Sequence, residues 1–477
     1  MKLFVLLLAA VCVGSPLMGQ PPACNCLENL NLTMAKTEAN YAGYPAKVNA
    51  RTRATYQALK RQLAQRAAKE ANPKRCYYLL QQYVRFFADK HFIISYNAGA
   101  DFDSTVAPCP PDYWQQGYAR KTLAAVEGIY TNPDSTVKIG IYKTSTGVYK
   151  AIKIQSTVDS YPQGFVYFTL TPRGRQFIVK EYDAFLSTAT PARLSGNLLQ
   201  LWNHALWGKL YPQTITPDEQ AELATWKNQN NGLAFKKLNP QTAYLKIPTF
   251  TNNDDKIQQL IAGADATIRS TPYLLVDLRG NGGGNTGWVF MLPYFMTNTV
   301  VQYPSLVRVT PDNVPLKLQD LEPFVNNPIS EQYQKYFPAP VLNAYKKAYA
   351  ELPTTTQPFY PVPGVNFPLD SITRYPQKIA LMVDDFCGSS TEYFFSLSRQ
   401  SKKVITYGTH TMGMMDYEGM STPTPLPFHK FILTIPIAKS SWTDTQPIDQ
   451  TGFTPDVLIN LPHTQWIPFI AKDLPKR

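Results

Sequence analysis

Two segments of this chain carry the residue types that acyl transfer needs. The apolar run Leu274-Leu275-Val276-Asp277 leads into Leu278-Arg279-Gly280-Asn281-Gly282-Gly283-Gly284, a glycine-rich turn able to offer backbone N–H groups where charge must be stabilised. A second apolar run, Lys378 to Val383, ends in Asp384-Asp385-Phe386-Cys387-Gly388-Ser389-Ser390-Thr391-Glu392 and a helix-like stretch. That turn can hold a serine hydroxyl at the mouth of a strand-to-helix junction. A nucleophile with oxyanion donors points to acyl transfer, most simply peptide hydrolysis. Each segment also has a plain structural reading. Glycines after a buried strand allow positive φ in a tight turn, and Ser389-x-x-Glu392 is a capping box.

A serine of ordinary pKa needs a base, and the chain offers five histidines: His91, His204, His410, His429 and His463. His91 follows a helix-like segment in Phe87-Ala88-Asp89-Lys90-His91, where a lone histidine also serves as a partner of the helix dipole. His410 is its competitor, being close in sequence to the serine turn. Cys387, two residues before Ser389, is the rival nucleophile, because a thiol is intrinsically more reactive; a small buried residue in the turn is the reading preferred here. No histidine shows a metal-ligand spacing such as H-x-x-x-H, so no metal and no cofactor are expected.

In order and spacing, the two segments resemble the C-terminal-processing (tail-specific) protease family, including relatives built like the catalytic core of the tricorn protease. The resemblance covers Thr242 to Val457 and rests on a strand ending D-x-R-x-N-x-G-G followed by a strand ending in a small-S-x-x-E helix start. It implies an α/β fold with a mixed sheet and selects Ser389 as nucleophile, three residues before Glu392. The tail-specific branch takes its base from a Phe-Gly-Lys-Gly turn, whose counterpart here is Gly408-Thr409-His410-Thr411-Met412-Gly413-Met414-Met415. Met414 occupies the lysine place, and a thioether cannot act as a base. The tricorn-like branch instead takes a histidine from the N-terminal helical region, matched by His91, and a carboxylate just before a Gly-x-x-Pro-Asp turn. Asp449 matches that carboxylate ahead of Gly452-Phe453-Thr454-Pro455-Asp456, with Asp where the family often has Glu.

The resemblance thus implies a serine endopeptidase of the carboxyl-terminal-processing type. His91 takes the proton of Ser389, Asp449 supports the imidazole, directly or through a polar group, and Gly283 and Ser390 N–H groups bind the oxyanion. Gly282 and Gly284 border the substrate strand. The substrates would be flexible peptides or unfolded protein ends, added at a sheet edge as another strand. The alternative is a catalytically inactive peptide- or ligand-binding protein on the same scaffold, as in the interphotoreceptor retinoid-binding protein modules. An NTP-binding fold does not fit, since Gly280 to Gly284 lacks a following Lys-Ser/Thr.

These residues need elements to position them. Residues 20–118 read as an N-terminal helical region. Lys47 to Glu70 is free of Gly and Pro, and a second helix opens at Pro73, with Tyr77, Leu80, Tyr83, Val84 and Phe87 at helical spacing. Residues 119–211 contain short alternating strands, suggesting a small antiparallel barrel or sandwich. A polar linker, 212–241, precedes an α/β core over 242–477. There the strands 244–250, 273–278, 378–383 and 403–407 alternate with helices at 254–268 and 392–399, which favours a largely parallel sheet. A Pro-rich insertion over about 298–375 separates the two motifs and reads as disordered or as a cover over a site.

Length and composition set the outer bounds. The chain has 477 residues, 44% of them hydrophobic, enough for two or three domains. Its formal charge of +12 is scattered, so no nucleic-acid partner is expected. Residues 1–19 read as an export signal: Lys2, an apolar run from Leu3 to Val13, then Gly14-Ser15-Pro16. That run is too short to span a bilayer, which takes about 20 residues, so a periplasmic or secreted protein without an integral membrane segment is expected. Lipid anchoring through Cys12 or Cys24 is poorly supported by the flanking residues. Export permits disulfides, and Cys24, Cys26, Cys76 and Cys109 could form two, with three pairings open.

Overall fold

The computed structural model describes residues 24–99, 106–107, 113–119, 123–182, 185–186, 189–329, 331–420 and 422–477. The export signal, Cys12 and Cys109 lie outside the described residues. The C-terminal half is built on a six-stranded sheet ordered Ala234–Asn239, Thr242–Lys246, Tyr273–Asp277, Lys378–Val383, Val404–Gly408 and Val457–Leu458. The first pair is antiparallel and the rest are parallel, so the sheet is mixed, as the resemblance implies.

The strands in the middle of this sheet read as unbroken apolar runs because both faces are covered. Leu274, Val276, Ile379, Leu381 and Val383 point into one core with Ile257, Trp288 and Phe394. Leu275, Ala380 and Met382 point the other way, against Tyr407, Trp466 and Ile470. The helix Asp254–Ile268 starts with Asp254 and Asp255 at its positive end and buries Ile257, Ile261, Ala264 and Ile268, one stripe at helical spacing. Asp277 pairs with Met382, and Val383 with Gly408. The carboxyl ends of the two motif strands therefore lie side by side, and their turns leave the sheet together.

Two further bodies lie against this sheet. Eight described strands between Gly128 and Tyr211 close into a barrel around Ile139, Ile141, Ala151, Phe168, Leu170 and Leu199. The N-terminal helices Cys26–Asn40, Arg53–Ala67 and Pro73–Arg85 pack around Tyr56, Tyr83 and Phe87, with a Cys26–Cys76 disulfide. Cys24 is buried and unpaired among the described residues. From these helices the chain enters the strand Ile93–Asn97, which pairs antiparallel with Phe431–Thr434, so the N-terminal region shares a core with Tyr417, Phe431 and Leu433 of the C-terminal half.

Several boundaries differ from the sequence reading. The helix expected over 47–70 is split into Tyr44–Lys47 and Arg53–Ala67. Between them Thr52 Oγ1 donates to the Lys47 carbonyl at 2.6 Å and accepts from Asn49 N–H at 3.0 Å, local bonds that compete with the helical ladder. The polar linker contains a helix, Pro217–Ala224, capped by Thr216, and its last residues form the antiparallel edge strand of the core sheet. The described residues of the Pro-rich insertion form helices and strands. Its helices Asn313–Asn326 and Ala339–Glu351 enclose Leu321, Val341 and Tyr345 over Val307. Its strand Ser305–Arg308 pairs with Ala438–Ser440, which in turn pairs with Tyr417–Glu418.

Candidate active site

Ser389 sits at the tip of the turn between Lys378–Val383 and the helix Ser390–Ser398, with φ 53° and ψ −124°. This backbone conformation is sparsely populated for a residue with a Cβ and costs on the order of 1–3 kcal/mol. It holds because the turn is tied from several sides. Glu392, fully buried, accepts from Ser389 N–H at 3.2 Å, Thr411 Oγ1 at 2.6 Å, Gly413 N–H at 2.6 Å and Met414 N–H at 2.7 Å. Gly388 N–H donates to the Asn281 carbonyl at 3.2 Å, so the serine turn and the glycine turn are joined directly. A Cβ on Gly388 would lie 2.4 Å from Met414 Sδ, so a larger residue there would have to displace that side chain.

The Ser389 hydroxyl faces His91, with Oγ 2.9 Å from Nε2. On the other side of the ring, Nδ1 lies 2.8 Å from the Tyr417 carbonyl oxygen, which can only accept. Nδ1 therefore carries the proton and Nε2 presents its lone pair to the serine. Burial pushes the imidazole below its ordinary pKa, against the opposing pull of the Tyr417 carbonyl, which keeps it neutral and basic at neutral pH. The main chain of His91 is pinned as well: its N–H donates to Asp89 Oδ1 at 2.8 Å, and Asp89 Oδ2 accepts from Tyr41 Oη at 2.8 Å. Burial, then the nearby Asp449 charge, pushes the Asp89 carboxyl up to about 7.

Asp449 is buried close behind this group but makes no hydrogen bond to the imidazole. The Tyr417 carbonyl occupies the Nδ1 position, so Asp449 does not touch the ring. The carboxylate instead pairs with Lys47 Nζ at 2.7 Å through Oδ2, while Oδ1 is buried without a hydrogen-bond partner. Its backbone N–H donates to Asp416 at 2.8 Å, and Lys90 Nζ donates to the Asp449 carbonyl at 3.1 Å and to the Gly413 carbonyl at 2.8 Å. Its negative charge still favours a protonated His91.

The glycine turn lies against the serine turn. A Cβ on Gly283 would fall 2.7 Å from Ser389 Cβ and 2.8 Å from Ser390 N, so only glycine allows this approach. The Ser390 N–H makes no hydrogen bond among the described residues. The Gly283 N–H, expected to be free, donates to Asn281 Oδ1 at 2.9 Å. Gly282 is covered by the Trp202 indole, whose atoms would lie 2.3–2.7 Å from a Cβ there, so it does not face a substrate; Gly284 is exposed.

The rival residues have other partners. Cys387 is fully buried, its Sγ–H donates to the Leu278 carbonyl at 2.9 Å, and burial pushes the thiol well above its usual pKa, which makes it unreactive. His410 is exposed and faces Thr454 Oγ1 at 3.2 Å. Met414 is buried against Gly388. Tyr417, Lys47, Asp89 and Asp384 were not singled out as site residues in the sequence reading. Tyr417 acts through a backbone carbonyl, which leaves no trace in residue type.

A strained serine bonded to a neutral histidine, at the carboxyl ends of a mixed sheet and beside an unpaired N–H, is an arrangement that can support acyl transfer. Residues 241–459 match the model of Peptidase family S41. That match, over a little under half of the chain, supports a serine peptidase of the carboxyl-terminal-processing kind. No curated protein matches the sequence. Among solved structures, mature CPAF is 12% identical with a TM-score of 0.52, over 94% of this chain and 96% of that one. CPAF complexed with lactacystin is 11% identical with a TM-score of 0.50, over 95% and 97%. The photosystem II D1 C-terminal processing protease is 12% identical with a TM-score of 0.37, over 92% and 94%. The CPAF likeness is one of fold.

Proposed function

We propose that this peptidase is exported and cleaves flexible peptides or the C-terminal ends of proteins by a Ser389/His91 acyl-enzyme mechanism, with Asp449 as an indirect electrostatic partner. The observation that carries the reading is the 2.9 Å contact between Ser389 Oγ and His91 Nε2, with the tautomer fixed by Tyr417. His91 takes the hydroxyl proton as Oγ attacks the substrate carbonyl carbon. The tetrahedral oxyanion is bound by the free Ser390 N–H and by the Gly283 N–H, which turns from Asn281 or is shared with it. The C–N bond then breaks as His91 returns the proton to the leaving amine. Water, deprotonated by the same ring, releases the acyl group. Each oxyanion donor is worth about 3 kcal/mol of barrier.

Asp449 lowers the cost of the imidazolium through space, and Lys47 keeps that carboxylate in place. The substrate enters beside Gly284, where an extended strand can pair with exposed backbone. A cavity of about 270 Å³ nearby is walled by Tyr393 and Glu418, neighbours of the nucleophile helix and of Tyr417, and by Gln302, Lys317 and Phe324 of the insertion. The insertion therefore shapes a side-chain pocket. The Cys26–Cys76 disulfide fits an oxidising compartment outside the cytoplasm, and no helix among the described residues is long and apolar enough to cross a membrane.

The test is cleavage of an unstructured polypeptide followed by mass spectrometry of the products. Wild-type protein should cut it, whereas Ser389→Ala and His91→Ala should leave it intact. Cleavage that survives Ser389→Ala would refute the assignment, and wild-type protein that binds the polypeptide without cutting it would return the carrier reading.

A further inference from the structure

The barrel reaches into both catalytic turns. Arg193, on the barrel strand Thr190–Ser195, sends Nη2 to Asp384 Oδ2 at 2.7 Å. Its guanidinium lies 4.2 Å from the centre of the Phe386 ring, and Nη1 lies 3.4 Å from Asp385 Oδ1. Trp202, at the next barrel turn, donates from Nε1 to the Phe386 carbonyl at 2.9 Å while its indole covers Gly282. Its own backbone is held at φ 38°, a conformation unusual for a residue with a side chain. Gln200 donates to the Trp202 carbonyl at 2.8 Å and lies against Gly280.

Asp384 turns these contacts into a clamp. It is fully buried, and its Oδ1 accepts from Gly280 N–H of the glycine turn at 2.9 Å and from Phe386 N–H of the serine turn at 3.1 Å. One carboxylate thus fixes the spacing between the turn that offers oxyanion donors and the turn that offers the nucleophile. The only ion pair of that carboxylate among the described residues is with Arg193. Burying a carboxylate is costly unless it is paired, so the clamp depends on a cation supplied by the barrel.

We propose that Arg193 and Trp202 are positioning residues, through which the barrel holds the oxyanion turn at working distance from Ser389. The inference rests on the peptidase reading for its kinetic readout and on geometry alone for its structural one. The barrel is then a part of the active site, and a change at its surface nearest the core is felt in the chemical step.

The experiment compares full-length wild type with Arg193→Ala, Arg193→Lys and Trp202→Phe in peptide cleavage and in amide hydrogen exchange at Gly280 and Phe386. Arg193→Ala should lower kcat at least tenfold with KM changed less than threefold. Arg193→Lys should recover part of that loss, and Trp202→Phe, which keeps the ring but not the N–H donor, should lower kcat severalfold. Exchange at both amides should quicken in Arg193→Ala, an outcome that does not depend on the enzyme's being active. Unchanged kcat and unchanged exchange in a folded Arg193→Ala protein would overturn the proposal. If Arg193→Ala does not fold, the Lys and Phe variants decide it: wild-type kcat in both is the contradicting result. A wild type that fails to cleave, with exchange still quickened in Arg193→Ala, would sink the peptidase reading and leave the clamp standing.

Discussion

The Nδ1 atom of His91 lies 2.8 Å from the carbonyl oxygen of Tyr417, and this one contact orients the ring. In many serine hydrolases a carboxylate fills that position; here a neutral acceptor does. The ring is still held in the tautomer that accepts from Ser389, but without a charge bonded to it, and burial keeps its pKa down. Four predictions follow the consequences through the site.

The first concerns pH. His91 must be neutral to take a proton, and its pKa in the fold lies below the free value of 6.5. The acid limb of kcat/KM that belongs to His91 should therefore be centred below 6.5. Folding stability follows the same sign: the unfolded histidine binds the proton first, so the contribution is complete above 6.5 and lost at lower pH. An acid limb centred above 6.5 would mean that a bonded carboxylate raises the imidazole.

Asp449→Asn offers a direct comparison with direct triads. Where the carboxylate binds the imidazole, its amide replacement costs about 10⁴-fold because the wrong tautomer is stabilised. In this protein the Tyr417 carbonyl sets the tautomer, so kcat should drop only about tenfold, that is, about 1.4 kcal/mol. Steady-state kinetics read the difference, and a loss near 10⁴-fold would place Asp449 on the ring during turnover.

Lys47→Ala removes the cation paired with a carboxylate whose side chain is 6% exposed. The Asp449 charge would then be uncompensated, a change that costs about 3 kcal/mol or more in buried pairs. Urea unfolding should show that loss in the midpoint at an unchanged slope. A loss below about 1 kcal/mol would show the pair to be solvent-screened.

Cys387 should be bystander chemistry. Its thiol is fully buried and bonded to the Leu278 carbonyl, so iodoacetamide should leave activity intact in the native protein. Cys387→Ser should retain activity within a few-fold, keeping a donor of similar size. Rapid inactivation by the reagent, with the adduct mapped to Cys387, would reinstate the thiol.

The sequence was most legible where local pattern and tertiary demand agree. Lys378 to Val383 is apolar throughout because it is buried on both faces, and Asp254–Ile268 shows its acidic start and its stripe without reference to anything distant. The edge strand Ala234–Asn239 was hidden in a polar linker because an edge exposes Lys236 and Lys237. The insertion, read from its prolines as either disordered or a cover, holds Pro323 inside a helix packed through Leu321 and Phe324. In the site, Ser389 and His91 could be named from motif position, and they lie 2.9 Å apart. The Tyr417 carbonyl, the Asn281 bond to Gly283 and the Arg193–Asp384 pair had no such signal. One is a main-chain carbonyl, one a side-chain oxygen bonded to a main-chain N–H two residues on, and the third joins residues 191 positions apart.

Covalent labelling of Ser389 by a fluorophosphonate, timed in wild type and in His91→Ala, tests the central pairing most directly. Rapid stoichiometric labelling of wild type at Ser389, slowed at least a hundredfold in His91→Ala, is the predicted result. Equal labelling rates in the two proteins, or label carried by another residue, would contradict it.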